Sequence, residues 1–113
     1  MHELSIVMGI IGIAEKQAVI AHADVIDEIE LDIGTLAGID MDSLDFAWKQ
    51  AVKNTILQGA EKKINIITAR AQCFDCDTEF EIQNYYDACP LCNSHLLNIK
   101  QGKELRVKSL LVS

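Results

Sequence analysis

The chain has 113 residues and a mass of 12.5 kDa; 50% of its residues are hydrophobic and 24% charged, with one Pro and six Gly. That is enough for one domain, with or without a small appendage, and it excludes disordered, collagen-like and low-complexity classes. Seventeen Asp and Glu against ten Lys and Arg leave a net charge of −7, the wrong sign for an ordinary nucleic-acid binder.

The first residues, Met1-His2-Glu3, lack the basic flank of a secretory signal. The longest apolar run, Leu4 to Ala14, is 11 residues long, short of the roughly 18 that a membrane span requires. A soluble, cytoplasmic chain is expected, with neither nucleic acid nor membrane as partner. The chain start has a second possible use. A free Met1 amine, the His2 backbone nitrogen and the His2 ring nitrogen can close two fused chelate rings around one ion, with Glu3 filling a fourth place. An in-plane nitrogen set of this kind suits Ni(II) or Cu(II). On residues alone, an accidental second-position His and a weak, exchangeable metal site both remain open.

A helix is expected from Glu3 to His22. Leu4, Val7, Met8, Ile11, Ala14 and Ala18 recur at helical spacing, and Ile6, Ile10 and Ile13 widen the stripe. His22 would meet the negative end of this helix's dipole. Next, Ile29, Leu31 and Ile33 alternate with Glu28, Glu30 and Asp32, the pattern of a half-buried strand with an acidic outer face that Gly34 ends. A loop from Thr35 to Met41 leads to Asp42, read as the N-cap of a second helix running to about Leu57; Asp40 is read as a loop residue. Leu44, Ala47, Trp48, Ala51 and Val52 form its inner face. Ile64, Ile66 and Ala69 suggest a second strand that continues into Cys73, and a last strand spans about Glu104 to Val112.

Two C-x-x-C pairs, Cys73/Cys76 and Cys89/Cys92, lie 12 residues apart. This pattern suits a tetrahedral four-thiolate zinc site, since each knuckle can bring two sulfurs to one ion. Disulfides fit a cytosolic chain poorly. A thioredoxin-type pair expects one C-x-x-C, and haem attachment needs a His where Asp77 and Asn93 stand. Four thiolates leave no open coordination position, so the site is expected to be structural. The ribbon carries Asp75, Asp77, Glu79, Glu81 and Asp87 and no Lys or Arg, which points to a protein contact in place of a phosphate one. The expected architecture is α+β. A small mixed three-stranded sheet covered by two helices is built from residues 1–71 and 97–113, and a zinc-ribbon lobe from residues 72–96 is inserted into it.

Taken together, these features resemble the HypA/HybF family of hydrogenase maturation nickel metallochaperones. The likeness is carried by Met1-His2-Glu3-Leu4-Ser5, Ile33-Gly34-x-Leu36-x-Gly38, Ser43-Leu44-x-Phe46-Ala47, Thr55 with Gly59-Ala60, the two C-x-x-C pairs, and Gly102-Lys103-Glu104-Leu105. The resemblance implies a non-enzymatic carrier in which Met1, His2 and Glu3 bind one Ni(II) and Cys73, Cys76, Cys89 and Cys92 hold one structural Zn(II). It also implies delivery to the [NiFe]-hydrogenase large subunit precursor, and in some members to urease, with an accessory GTPase; the broadly apolar first helix permits a monomer or a homodimer. Asn93 stands where many relatives have Gly, and neither C-x-x-C pair is followed directly by His. Asp40 and His95 are the residues that could join a metal site. The competing readings are a zinc-ribbon adaptor with no nickel role and a thiol or zinc enzyme.

Overall fold

A computed structural model describes residues 3–113. In chain order the elements are α1 (Glu3–Ile20), β1 (Ile26–Gly34), α2 (Met41–Ala51), β2 (Glu61–Ile67), β3 (Arg70–Cys73), β4 (Glu79–Glu81), β5 (Leu97–Gln101) and β6 (Leu105–Val112). The strands make two three-stranded sheets, β2-β1-β6 and β4-β3-β5. The expected α+β class, with two helices, a mixed three-stranded sheet and a four-cysteine lobe, is what the chain adopts; the second sheet is an addition to it.

The first sheet is mixed, as its side-chain and backbone bonds reveal. Glu28 meets Lys63, Asp32 meets Asn65, and the Thr35 N–H reaches the Ile67 carbonyl, so β1 and β2 advance in the same direction. Val25 and Ser113 exchange both backbone hydrogen bonds, while Gly34 N–H bonds to the Glu104 carbonyl at 2.7 Å, so β6 runs antiparallel to β1. Parallel neighbours need a long crossover, and α2 supplies it.

The chain divides into two compact units, residues 1–31, 39–64 and 107–113 in the first and residues 32–38 and 65–106 in the second. In the first, α1 and α2 pack together. The buried stripe of α1 is Val7, Ile10, Ile11, Ala14 and Ala18. Leu4 and Met8, expected on that stripe, are exposed instead. The helix ends in a Schellman motif: His22 takes the left-handed conformation, its N–H bonds to the Val19 carbonyl, and Ala23 N–H bonds to Ala18. His22 thus terminates the helix through its backbone.

At α2 the N-cap is Asp40, not Asp42. Its Oδ1 accepts the Asp42 and Ser43 N–H groups at 3.0 and 3.2 Å, which puts Asp42 in the first turn. The helix also stops at Ala51, six residues before the expected Leu57. Asn54 adopts a left-handed backbone and the Thr55 hydroxyl donates to the Val52 carbonyl, so local bonds replace the next helical turn. Trp48 is buried as expected, with the Lys62 ammonium 5.1 Å above its ring.

In the second unit, Leu36, Ala69, Ala71 and Ile82 form a buried cluster joined by Phe80, Leu97 and Ile99. The strand expected to run through Ala69 into Cys73 is broken at Thr68-Ala69, and its halves belong to different sheets. Ala69 explains the break. Its N–H donates to the Thr35 hydroxyl, its carbonyl accepts from Ile82, and its side chain is fully buried. Gly34 and Gly102 permit a close backbone approach beside it: a Cβ on Gly34 would collide with Gly102, and one on Gly102 with Ala69.

Asp32 overturns the expected acidic outer face. It is 3% exposed, and Oδ2 accepts from Arg106 Nε and Nη2 at 2.9 Å each, while Oδ1 accepts from Asn65 at 2.9 Å. Glu28 is likewise met by Lys63 and Glu30 by Lys108. Glu28, Glu30 and Asp32 of the central strand therefore face bases on its two neighbours.

Candidate metal centre

Each C-x-x-C pair lies in a tight turn of the same construction. In the first, Asp77 N–H donates to the Cys73 carbonyl and Cys73 N–H to the Thr78 carbonyl, each at 2.9 Å. In the second, Asn93 N–H donates to Cys89 and Cys89 N–H to Ser94, again at 2.9 Å. Both turns require a left-handed residue after the second cysteine, and Asp77 (φ 61°) and Asn93 (φ 61°) supply it. Asp and Asn tolerate that conformation better than other side chains, because their short polar groups bond locally. This is why Asn93 serves at a position whose backbone would otherwise favour Gly.

The four Sγ atoms all lie within 4.8 Å of one another. Cys73 and Cys92 are 3.5 Å apart, and Cys76 and Cys89 are 3.6 Å apart. A zinc–sulfur distance of about 2.3 Å gives a tetrahedron with edges of about 3.8 Å. The donor set therefore fits a thiophilic tetrahedral dication with little adjustment. The first cysteine of each pair is buried and the second is exposed, so the cluster is anchored in the protein and open to an arriving ion.

The thiols are not equivalent. Hydrogen bonds from the Thr78 hydroxyl and backbone, opposed by burial, lower Cys76 to about 6; the hydroxyl oxygen lies 3.2 Å from the sulfur. At Cys92 the Ser94 backbone bond pulls downward, but sharing of protons with Cys73, burial and the two remaining thiols push it up to about 12. The metal-free cluster thus favours thiolate at Cys76 and a retained proton at Cys92. A dication taking all four sulfurs must displace that proton as well.

His95 is exposed and is not a member of the cysteine cluster. Met1 and His2 lie outside the described residues. Glu3 is the first residue of α1, and its Oε2 accepts the Asp40 N–H at 3.5 Å. Glu3 and the N-cap of α2 are therefore neighbours, an approach across 37 sequence positions that spacing does not reveal. No helix among the described residues is long and apolar enough to cross a membrane.

Comparison with known proteins gives one consistent answer. The family model described as HypA, hydrogenase/urease nickel incorporation, metallochaperone, matches residues 1–112. The chain is 42% identical over 112 residues to a hydrogenase maturation factor HypA from Parabacteroides distasonis, covering 99% of this chain and 97% of that protein. It is 38% identical over 110 residues to a hydrogenase maturation factor HybF from Morganella morganii, covering 97% of each. The solution structure of the Ni metallochaperone HypA from Helicobacter pylori superposes with a TM-score of 0.70 at 27% identity, covering 99% of this chain and 97% of that one. With the knuckle geometry and the full-length match agreeing, the chain belongs to the HypA family of hydrogenase/urease nickel-incorporation metallochaperones.

Proposed function

We propose that the protein carries one Ni(II) at its amino terminus and delivers it for maturation of a [NiFe]-hydrogenase, acting as a carrier and not as a catalyst. The ligands are the Met1 amine, the His2 backbone nitrogen and imidazole, and Glu3. The accessory GTPase and the hydrogenase large subunit precursor are its protein contacts, and urease is a second client. The observation that carries this reading is the family match through residues 1–112, which includes the Met1-His2-Glu3 start.

Local physics supports the site. α1 begins at Glu3, so the first backbone N–H groups have no intrahelical acceptor. A nitrogen there can lose its proton to nickel without costing the helix a bond. The amine, with a reference pKa of about 7.7 to 8.0, and the imidazole, about 6.5, must both be unprotonated to bind. Nickel affinity therefore falls as pH drops through that range, a built-in route to release. Asp40 commits Oδ1 to capping α2, so its first duty is to hold the neighbouring helix.

The second metal is a structural Zn(II) held by Cys73, Cys76, Cys89 and Cys92 in the 72–96 ribbon, while residues 1–71 and 97–113 form the nickel-binding body. Four thiolates fill the sphere, so this ion supplies folding energy and no substrate position. The test separates the two metals. Zinc-loaded, untagged protein is titrated with Ni(II) and compared with His2→Ala and Cys73→Ala. His2→Ala is expected to lose nickel and keep zinc; Cys73→Ala is expected to lose zinc and retain most nickel binding. Unchanged nickel affinity in His2→Ala contradicts the reading.

A further inference from the structure

The acidic excess of this protein is concentrated in one place. Five of the seven net negative charges fall between Cys73 and Cys92, on Asp75, Asp77, Glu79, Glu81 and Asp87, with no Lys or Arg among those twenty residues. Asp87 turns its carboxylate inward onto the Gln83 and Asn84 N–H groups. Glu79 meets Arg70 at 3.3 Å. Asp75, Asp77 and Glu81 are exposed and make no ion pair among the described residues. A four-thiolate zinc would add two further negative charges.

Large apolar side chains crowd the same rim. Phe74 and Leu91 occupy x positions of the two knuckles and are 67% and 74% exposed; Leu96 is 62% exposed. Phe74 N–H bonds to the Leu96 carbonyl at 2.9 Å, and Leu91 precedes Cys92, whose sulfur is 3.5 Å from that of Cys73. No Lys or Arg lies in either knuckle. Arg70 pairs with Glu79 and faces Glu81 in the strand register, Arg106 pairs with Asp32, and Lys100 lies three residues along β5 from Leu97, the partner of Cys73 in the strand register. That is about 10 Å of strand.

We propose that the knuckle rim of the ribbon is a docking surface for a basic, apolar-anchored segment of a partner protein, in which Phe74, Leu91 and Leu96 receive apolar side chains and Asp75 and Asp77 receive Lys or Arg. Charge selects this occupant. Nucleic acid, an anionic lipid surface and the ribbon of a second copy all carry the repelled sign. The proposal rests on the zinc reading, since an unfolded ribbon presents no such surface, but not on where nickel binds.

The test uses the full, zinc-loaded chain. The probe is a synthetic amphipathic peptide of Lys and Leu, with a Lys and Ser peptide of equal charge as its control. Backbone amide shifts are expected to move within residues 74–96, with binding weakened by salt. The double variant Asp75→Asn, Asp77→Asn is expected to bind about fivefold more weakly. The matched double Asp24→Asn, Asp27→Asn on the first unit is expected to bind as the parent does. Phe74→Ser with Leu91→Ser is expected to weaken the Lys/Leu peptide and leave the salt dependence unchanged. The proposal is overturned by shifts outside the ribbon, by equal loss in both charge doubles, by equal affinity for the two peptides, or by no binding. Zinc content is measured in every sample. A parent protein that holds no zinc refutes the metal reading, whereas zinc retention without peptide binding refutes only the docking surface.

Discussion

Arg106 and Asp32 are unequal partners, and the inequality predicts which substitution hurts more. The Asp32 side chain is 4% exposed and the Arg106 side chain 65% exposed. Arg106→Met removes both guanidinium bonds from Oδ2 and leaves a buried carboxylate whose remaining partners include Asn65. Removing one member of a fully buried pair costs about 3 to 5 kcal/mol. Arg106 is mostly in water, which screens the pair, so about 2 to 3 kcal/mol is expected here. Asp32→Asn keeps the shape and removes the buried charge, while the freed guanidinium turns to solvent; about 1 kcal/mol is expected. Denaturant unfolding of the zinc-loaded variants at constant slope measures both. In the double variant most of the Arg106→Met penalty should disappear, because no buried charge is left unbalanced. Equal penalties, a larger one for Asp32→Asn, or simple additivity would refute the reasoning.

Other expectations follow from single contacts. Gly34→Ala drives a Cβ into the Gly102 backbone and should cost roughly 1 to 3 kcal/mol, measured by denaturation; unchanged stability contradicts the close approach. Asp40→Ala removes the α2 cap and should cost about 1 kcal/mol, with Asp42→Ala costing a few tenths, so the reverse order would restore Asp42 as the cap. The Gln83 and Asn84 N–H groups hold the Asp87 carboxyl below its ordinary value of 3.8. Its stabilisation is therefore present in full above that value and is lost as pH falls through the lowered one. The stability gap between the parent and Asp87→Ala should shrink in that acid window, and a gap that widens there sinks the assignment.

The sequence made some features plain and hid others for identifiable reasons. The cysteine pairs announce a metal centre because ligand spacing is local, and β1 is legible because Ile29, Leu31 and Ile33 obey a two-residue period. Asp32 obeys the same period yet is buried, since its partners lie on strands 33 and 74 positions away. Leu4 and Met8 fit the helical stripe, but the packing of α1 selects a face centred on Val7, Ile11 and Ala14. Asp40 and Asp42 are both good caps by type, and only the backbone geometry chooses between them. The break at Ala69 depends on Gly34 and Gly102, which close together only after the strands have formed. Likewise, the approach of Glu3 to Asp40 is made by the packing of α1 and α2, not by any local signal.

The central claim is that nickel enters through the free chain start. The direct measurement is Ni(II) titration of zinc-loaded protein beginning at Met1, beside the same protein with one Gly added before Met1. The added residue would move the amine out of the proposed chelate ring with His2. The account predicts one nickel per chain in the parent and a loss of at least about tenfold in affinity in the extended form. Equal affinity and the same ligand-field spectrum in both proteins would contradict it.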